Sequence, residues 1–204
     1  MIRVNILDIN FRKLIIENVI PNSQGDITIN ELASVKELNC NNKNIKSLEG
    51  IEYFKNLTDL DCSGNQLISL DISENLLLEN LDCGFNKIKK IDVSKNLSLI
   101  ELRCSNNQLE ELDLSNNLSL VKLYCYINRL RKLDVRELSM LREIQCFGNK
   151  FKGWDLNHCK SLVILKCDHN QLIGFDPSSC ESLKKLSLIN DPKGLYGNWS
   201  IMFK

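Results

Sequence analysis

Apolar side chains recur along this chain with a period of about 21 residues. From Val35 onwards the sequence falls into eight consecutive lines, the first of 22 residues and the next six of 21. Near the start of each line apolar and polar residues alternate, which is the period of a short β-strand with one buried face. The lines open at Val35, Leu57, Leu78, Leu99, Leu120, Leu141, Leu162 and Leu183. This pattern predicts a stack of coils that each contribute one strand to a parallel sheet.

The residues within each line follow one consensus. It reads L-x-x-L-x-C-x-x-N-x-L-x-x-L-D-φ-S-x-N, where φ is apolar, and it is clearest over residues 99–117. This is a leucine-rich repeat, and it explains the 34 leucines and 25 asparagines of the chain. Asn at the ninth position can donate and accept hydrogen bonds where the strand ends, and Asp at the fifteenth position suits a tight outer turn. A coil this short has no room for a full outer helix.

The predicted fold is an α/β leucine-rich-repeat solenoid. We expect about eight parallel short strands on the concave face, little regular structure on the convex face and a short N-terminal helical cap. The predicted segments are an N-terminal cap at 1–34, the repeats at 35–188 and a C-terminal cap at 189–204. Within the first segment, Asn10 to Ile20 reads as an amphipathic helix. In the last, Tyr196, Trp199 and Phe203 are expected to cover the final coil, or alternatively to bind a partner.

The positions of the cysteines distinguish a metal site or disulfide framework from a set of buried free thiols. Seven of the nine cysteines occupy the sixth position of the repeat, namely Cys40, Cys62, Cys83, Cys104, Cys125, Cys146 and Cys167, and the other two, Cys159 and Cys180, share the nineteenth. A metal site or a disulfide framework needs cysteines that converge, whereas these lie in rows, and stacked parallel side chains do not give the torsion of about 90° that a disulfide requires. We therefore interpret them as buried free thiols, which favours a reducing compartment.

The cysteine-containing 21-residue motif resembles bacterial leucine-rich repeats of the internalin J type. The stretches 27–35 and 45–58 also look like an internalin cap and first repeat, so the resemblance covers nearly the whole chain. It implies a non-enzymatic binding scaffold, in a family with many surface adhesins, that usually engages proteins through the concave strand face. Residues 1–10 alternate apolar and polar residues and do not read as a signal peptide, so the expected location is the cytoplasm, including delivery into a host.

Composition narrows the partner classes. The 26 basic and 26 acidic residues give a formal net charge of zero, so the chain lacks the overall positive charge that nucleic acid or an anionic membrane surface would attract. No apolar run approaches the roughly 18 residues of a membrane-spanning helix. We expect no cofactor, no metal and no membrane insertion, and a monomer that binds a protein or peptide.

The candidate binding residues lie at the variable positions of the predicted strands. Positions three, five, seven and eight of each line should face the concave side, where the first lines are acidic and the fifth and sixth lines are aromatic. The candidate partner-binding set is Arg103, Lys122, Tyr124, Tyr126, Ile127, Glu143, Phe147 and Lys166. Exposed aromatics flanked by charges are typical of interaction hot spots, although aromatic residues also favour strands for structural reasons alone. A face on the order of 550 Å² suits a peptide or a modest interface.

The sequence offers little support for catalysis. His169 lies next to Cys167 and Asp168, but Cys167 should point inward while His169 lies at the rim, and His158 belongs to another line. Three functional classes remain. The first is a protein-binding scaffold, the second is a secreted or surface adhesin of internalin type, and the third is the recognition module of a larger effector enzyme.

Overall fold

The computed structural model describes residues 4–20, 27–172, 176–188 and 199–202, with backbone alone at 188 and 199–202. The chain begins with α-helix α1 (Ile9–Leu14), which continues as one π-helical turn at Ile15–Val19. The helix predicted at Asn10 to Ile20 is therefore present, but it changes type after Leu14. A second helix, α2 (Ile29–Ala33), precedes the first strand.

The Asp8 side chain links helix α1 to the first coil. The Asp8 carboxylate accepts hydrogen bonds of 3.0 Å from the backbone N–H groups of Asn10 and Phe11 at the start of α1. Its second oxygen accepts from the N–H groups of Lys46 and Ser47 in the first coil, at 2.7 and 3.2 Å. Burial opposes ionisation, but these hydrogen bonds prevail and lower the pKa of Asp8. The helical cap is thus joined to the repeats by specific contacts.

The repeats form one continuous sheet. Its parallel strands are β1 (Glu37–Asn39), β2 (Asp59–Asp61), β3 (Asn80–Asp82), β4 (Glu101–Arg103), β5 (Lys122–Tyr124), β6 (Glu143–Gln145), β7 (Ile164–Lys166) and β8 (Lys185–Leu188). The eight parallel strands and the near absence of helix outside the N-terminal segment confirm the predicted fold. A ninth strand, β9 (Trp199–Met202), was not predicted. It pairs antiparallel with β8 and so occupies the edge that β8 would otherwise leave open.

The C-terminal aromatics are only partly described. Trp199 begins β9, whereas Tyr196 and Phe203 lie outside the described residues. The covering role predicted for these three side chains therefore stays a prediction.

Each repeat buries the apolar positions that its sequence predicts. The strands pair in strict register, so that Leu81 lies beside Leu60 on one side and Leu102 on the other. These central strand residues are at most 2% exposed. No coil could bury them alone, which is why the stack acts as one core.

Asparagine at the ninth position joins consecutive coils. Asn86 donates through Nδ2 to the carbonyl of Cys62 in the preceding coil and to that of Cys83 in its own coil, both at 3.1 Å. Its Oδ1 accepts from the Leu67 N–H at 3.0 Å. The arrangement recurs at Asn65, Asn107, Asn128, Asn149 and Asn170. The predicted asparagine ladder therefore satisfies the backbone groups of the bend.

The hydrogen bonds made at the nineteenth position explain why cysteine can replace asparagine there. Asn96 donates to the carbonyls of Ile72 and Asn75, but its Oδ1 has no hydrogen-bond partner among the described residues, as at Asn75 and Asn117. The thiols of Cys159 and Cys180 contact the equivalent carbonyls at 3.9 and 3.7 Å. A thiol is a weak donor that brings no second polar atom to bury.

All nine cysteines are free and buried. Burial raises the pKa of the Cys40 and Cys125 thiols to about 12. Neutral thiols of this kind pack as small apolar groups and are poor nucleophiles. The cysteine ladder predicted from the repeat is confirmed.

Candidate functional site

The concave face consists of the side chains that flank the buried centre of each strand. In β4, for example, Glu101 and Arg103 lie on either side of buried Leu102 and point to the opposite surface. Neighbouring strands place equivalent positions side by side, so Arg103 pairs with Asp82 on β3 and with Tyr124 on β5. The predicted binding residues therefore lie on, or just after, the neighbouring strands β4–β7.

The seventh position supplies a stacked aromatic pair just after β5 and β6. The rings of Tyr126 and Phe147 lie 4.5 Å apart between centroids, with only 6° between their planes. Both side chains are partly exposed, and Ile127 beside them is 49% exposed. Parallel rings at this distance support each other and leave their edges and outer faces free for contact. We call Tyr126, Ile127 and Phe147 the aromatic patch.

Tyr124 is the exception to the expected exposure. It is only 9% exposed, because the Arg103 guanidinium lies 4.3 Å from its ring centre in a cation–π arrangement. Burial raises the pKa of Tyr124 to about 12, and the nearby Glu143 carboxylate contributes to the rise. The sequence placed Tyr124 on the correct face, but Arg103 on the adjacent strand covers it. A partner would meet Arg103 first.

The charged residues around the aromatic patch alternate in sign. Glu101 accepts hydrogen bonds from Arg103 Nε and from Lys122 Nζ, the latter at 3.0 Å. Glu143 on the next strand accepts from the Gln145 amide at 2.6 Å. Opposite charges on neighbouring strands stabilise a sheet modestly. This end of the face is therefore electrostatically balanced.

The other end of the face, formed by β1–β3, carries an acidic cluster. Glu37 pairs directly with Asp59, and Asp61 pairs directly with Asp82, so two like-charged pairs lie across neighbouring strands. We call these four residues the acidic cluster. They line a shallow depression of about 260 Å³, to which Glu101 and Arg103 of β4 also contribute. Sequence reasoning noted the acidity but left these residues out of the binding set; the signal was like charge at positions three and five of consecutive lines.

The hydrogen-bond partners of the clustered aspartates are neutral groups. Asp61 accepts from the Asn41 amide at 2.8 Å and from the Ser63 hydroxyl at 2.6 Å. Asp82 accepts from the Gly84 N–H at 2.9 Å. Burial raises the pKa of Asp82 and the Asp61 charge raises it further, against the lowering effect of the Gly84 hydrogen bond. Arg103, directly opposite Asp82 on β4, also lowers this pKa but does not outweigh burial and the Asp61 charge, so the repulsion is only partly offset within the sheet.

A serine lies at the boundary between the two ends. Ser63 and Ser105 occupy the same repeat position, and the Ser63 hydroxyl finds its acceptor in Asp61, two residues earlier. The corresponding residue before Ser105 is Arg103, which can only donate. Ser105 is 3% exposed and its hydroxyl has no hydrogen-bond partner among the described residues. The Ser105 hydroxyl lacks a partner because Arg103 occupies the position that Asp61 has in the earlier coil.

The eighth position adopts a left-handed backbone in every coil from the first to the seventh. Asn42, Gly64, Asn106 and Gly148 suit this conformation, whereas Phe85, Ile127 and His169 have φ values of +54°, +52° and +52° with bulky side chains. A β-branched residue such as Ile127 is strained there. Ile127 is both exposed and strained, so the local backbone does not explain why this position holds an isoleucine.

The structure brings together no group that fits metal or nucleophilic chemistry in the part it describes. No three His, Cys, Asp or Glu residues there are arranged to hold a metal ion. Cys167 is 1% exposed and burial raises its pKa, while His169 is exposed at the rim, as the repeat register predicted. Among the described helices, none is long and apolar enough to cross a membrane.

No protein-family model matches this sequence, and no curated protein matches it. Solved structures do match. An internalin (inlF) from Listeria monocytogenes superposes with a TM-score of 0.83 at 24% identity, over 89% of this chain and 56% of that one. Internalin C2 from the same organism gives a TM-score of 0.76 at 19% identity, over 90% of this chain and 84% of that one. The functional domain of InlJ from Listeria monocytogenes, described as including a cysteine ladder, is 27% identical over 80% of this chain and 50% of that one, with a TM-score of 0.45.

These likenesses establish the fold. The internalin and internalin C2 structures share the leucine-rich-repeat solenoid at identities too low to carry anything finer. This chain spans little more than half the length of the first of them. The InlJ superposition is too poor to support an argument, so the cysteine rows rest on the contacts described above.

Proposed function

We propose that this protein is a non-enzymatic scaffold that binds a protein or peptide on its concave strand face. The observation that carries the proposal is the aromatic patch. Tyr126, Ile127 and Phe147 are partly or largely exposed on the concave side, whereas the central strand residues beneath them, such as Leu123 and Ile144, are buried in the core. Adjacent exposed aromatic and aliphatic side chains with charges around them are typical of binding hot spots.

The residues around the patch give the site its orientation. Arg103, Lys122, Glu143 and Lys166 surround it on β4–β7, and charges in such a rim affect association rate and specificity more than affinity. Arg103 and its covered neighbour Tyr124 act as one unit in this proposal. We expect the protein to act as a monomer, to use no cofactor and not to bind nucleic acid.

A catalytic role is disfavoured by the chemistry of the groups present. The described thiols are buried and their pKa values are raised, so they lack the thiolate character that a nucleophile needs. The second candidate function is a secreted or surface adhesin, which the internalin fold allows. The third is the recognition module of a larger effector enzyme.

Nine free thiols favour a reducing location, such as the cytoplasm of the producing cell or of a host. Alkylation with iodoacetamide tests this. We expect no modification of the native protein and nine modified cysteines after denaturation, in protein isolated from its natural source under conditions that trap thiols. Intramolecular disulfides in that material would contradict the cytoplasmic location and favour the adhesin.

The binding face is tested with single substitutions. Tyr126→Ala and Phe147→Ala should each weaken partner binding by more than about 1 kcal/mol while changing stability little, since their rings lie outside the core. Partners are first captured from self and host lysates and identified, and the affinities are then measured by titration calorimetry with the purified partner.

Leu97→Ala is the matched control, because Leu97 is a 58% exposed apolar residue on the turn that leads back to a strand. Lys95→Ala and Glu137→Ala on the outer turns serve the same purpose for charged residues. A partner whose affinity responds to the control substitutions but ignores Tyr126 and Phe147 would contradict binding on the concave face.

A further inference from the structure

The acidic cluster has an unfavourable arrangement that the fold does not require. Like charges directly opposite each other on neighbouring strands destabilise a sheet. The same repeat positions carry alternating charges further along, where Glu101 lies between Arg103 and Lys122 and forms ion pairs with both. These repeat positions therefore accept balanced charges elsewhere in the same chain. The acidic cluster instead places two like-charged pairs side by side, Glu37 with Asp59 and Asp61 with Asp82. Since folding does not explain them, we look for the explanation in a binding partner.

Arg103, directly opposite Asp82 on β4, offsets the charge of the cluster only in part. None of its four carboxylates forms an ion pair with a described residue, and the hydrogen bonds to Asp61 and Asp82 come from neutral amide and hydroxyl groups. The one guanidinium at the edge of the depression, that of Arg103, is already bound to Glu101 and packed on Tyr124. A concave surface lined by one sign of charge concentrates the field and attracts the opposite charge.

A second observation at the boundary also indicates a missing partner. The hydroxyl of Ser105 is buried without a hydrogen-bond partner among the described residues, at the repeat position where Ser63 bonds an aspartate on the concave side. Buried polar groups are rarely left unpaired in native proteins. The unpaired hydroxyl leaves one hydrogen-bond donor beside the acidic cluster.

We propose that the concave face binds an extended protein segment that places a Lys or Arg side chain over Asp61 and Asp82 and an apolar side chain against Tyr126 and Phe147. The proposal rests on the function proposed above and names the chemistry of its partner. Cationic side chains relieve the repulsion between the carboxylates, so part of the binding energy comes from strain present only in the free protein. The aromatic patch supplies the apolar half of the contact.

The strand spacing sets the distance between the two halves of the motif. From the middle of β2–β3 to the middle of β5–β6 is three strand spacings of about 4.8 Å, and the aromatic rings lie two residues, or about 6.6 Å, further along the strands, which gives about 16 Å in all. An extended chain running obliquely across the strands covers this distance in about five residues at about 3.3 Å each. The recognised segment therefore has a basic residue separated from an apolar or aromatic residue by about four others.

A random library of 12-residue peptides displayed on phage, selected against the wild-type protein at low salt, tests the proposal. We expect the enriched peptides to pair a basic residue with an apolar one at this spacing. Synthetic copies, measured by fluorescence anisotropy, should lose at least about tenfold in affinity towards the double variant Asp61→Asn/Asp82→Asn. Raising the salt should weaken binding to the wild type more than to that variant.

The control is the double variant Asp92→Asn/Asp113→Asn. It makes the same change of charge at two aspartates that also accept a backbone N–H two residues later, but on the outer turns. Binding to this variant should equal binding to the wild type. Thermal unfolding of Asp61→Asn/Asp82→Asn should be at or above the wild-type midpoint, because a like-charged pair is removed, so that lost binding does not reflect lost folding.

Three results would overturn the inference: no enrichment, enriched peptides without basic residues, or peptides whose affinity ignores Asp61→Asn/Asp82→Asn. If such peptides still depend on Tyr126 and Phe147, the proposed function stands and only the basic partner is wrong. If their affinity ignores those two aromatics as well, the proposed function fails with it.

Discussion

Strands β1–β3 and strands β4–β7 share one backbone register, but their side chains on the concave face differ in chemical character. The first group carries the like-charged pairs of the acidic cluster and small residues such as Gly84 at the seventh position. The second carries alternating charges, the covered Tyr124 and the aromatic patch. Beneath both groups lie the same rows of leucine and cysteine. The repeat thus fixes the core while leaving each surface position free to vary, so folding of the repeat does not require the difference between the two surfaces.

The largest expected effect tests whether the two regions truly share one core. Leu60→Ala beneath the acidic cluster and Leu123→Ala beneath the aromatic patch should each cost about 2 to 5 kcal/mol, because each leaves a cavity between two packed coils. Urea unfolding, with its denaturant dependence compared across variants, measures both costs. Values that differ by more than about 1.5 kcal/mol would mean that the regions differ in packing as well as in surface.

A smaller gain in stability is expected from relieving strain in the aromatic patch. Ile127→Asn should raise the free energy of unfolding by about 1 kcal/mol, because Asn tolerates the left-handed backbone that Ile127 adopts. The reverse change, Asn106→Ile at the same position of the preceding coil, should lower stability by a similar amount. The midpoint of thermal unfolding reports both changes. A destabilised Ile127→Asn protein would show that the isoleucine serves the fold and not the surface.

The acidic cluster should give a still smaller and pH-dependent effect. Asp82→Asn should stabilise the protein by about 0.5 kcal/mol at neutral pH by removing repulsion from Asp61. The folded state raises the pKa of Asp82 above its usual 3.8, so this carboxyl gains a proton more readily in the folded than in the unfolded chain. Its unfavourable contribution is complete above the folded-state pKa and fades as the pH falls towards 3.8.

Thermal unfolding of wild type and Asp82→Asn at pH 7 and near pH 4 measures this trend, with Glu143→Gln on β6 as the comparison from the other region. The stabilising effect of Asp82→Asn should shrink on acidification. An effect that grows at low pH would have the wrong sign for a repulsive carboxylate pair.

The smallest effect concerns the balanced charges near the aromatic patch. Lys122→Gln removes an exposed ion pair with Glu101, which keeps its contact with Arg103. Such pairs contribute little in water, so the loss should stay below about 0.5 kcal/mol and vanish at high salt. Chemical denaturation by urea at low and high salt provides the measurement. A cost above about 1 kcal/mol would mean that this region depends on its charges for folding, unlike the acidic region.

The sequence by itself determined the repeat and everything that depends on period alone. Alternation at the strand predicted the buried central residue of each strand from β1 to β7, and the recurrence every 21 residues predicted the parallel register, the cysteine rows and the asparagine ladder. The outer turns were also predictable, since Asp71 accepts the N–H of Ser73 as its side chain and spacing suggest. These features follow from local geometry repeated without change.

The tertiary structure alone decided how side chains on the concave face share space. Alternation placed Tyr124 and Tyr126 on the same face, but only the neighbouring strand shows that Arg103 covers the first while Phe147 stacks against the second. Exposure on a sheet face depends on side chains one coil away on each side and on the conformations they adopt, which no single line of the repeat contains. Strand β9 was missed for a related reason, because residues 199–202 lie outside the repeat and pair through backbone groups that any sequence carries.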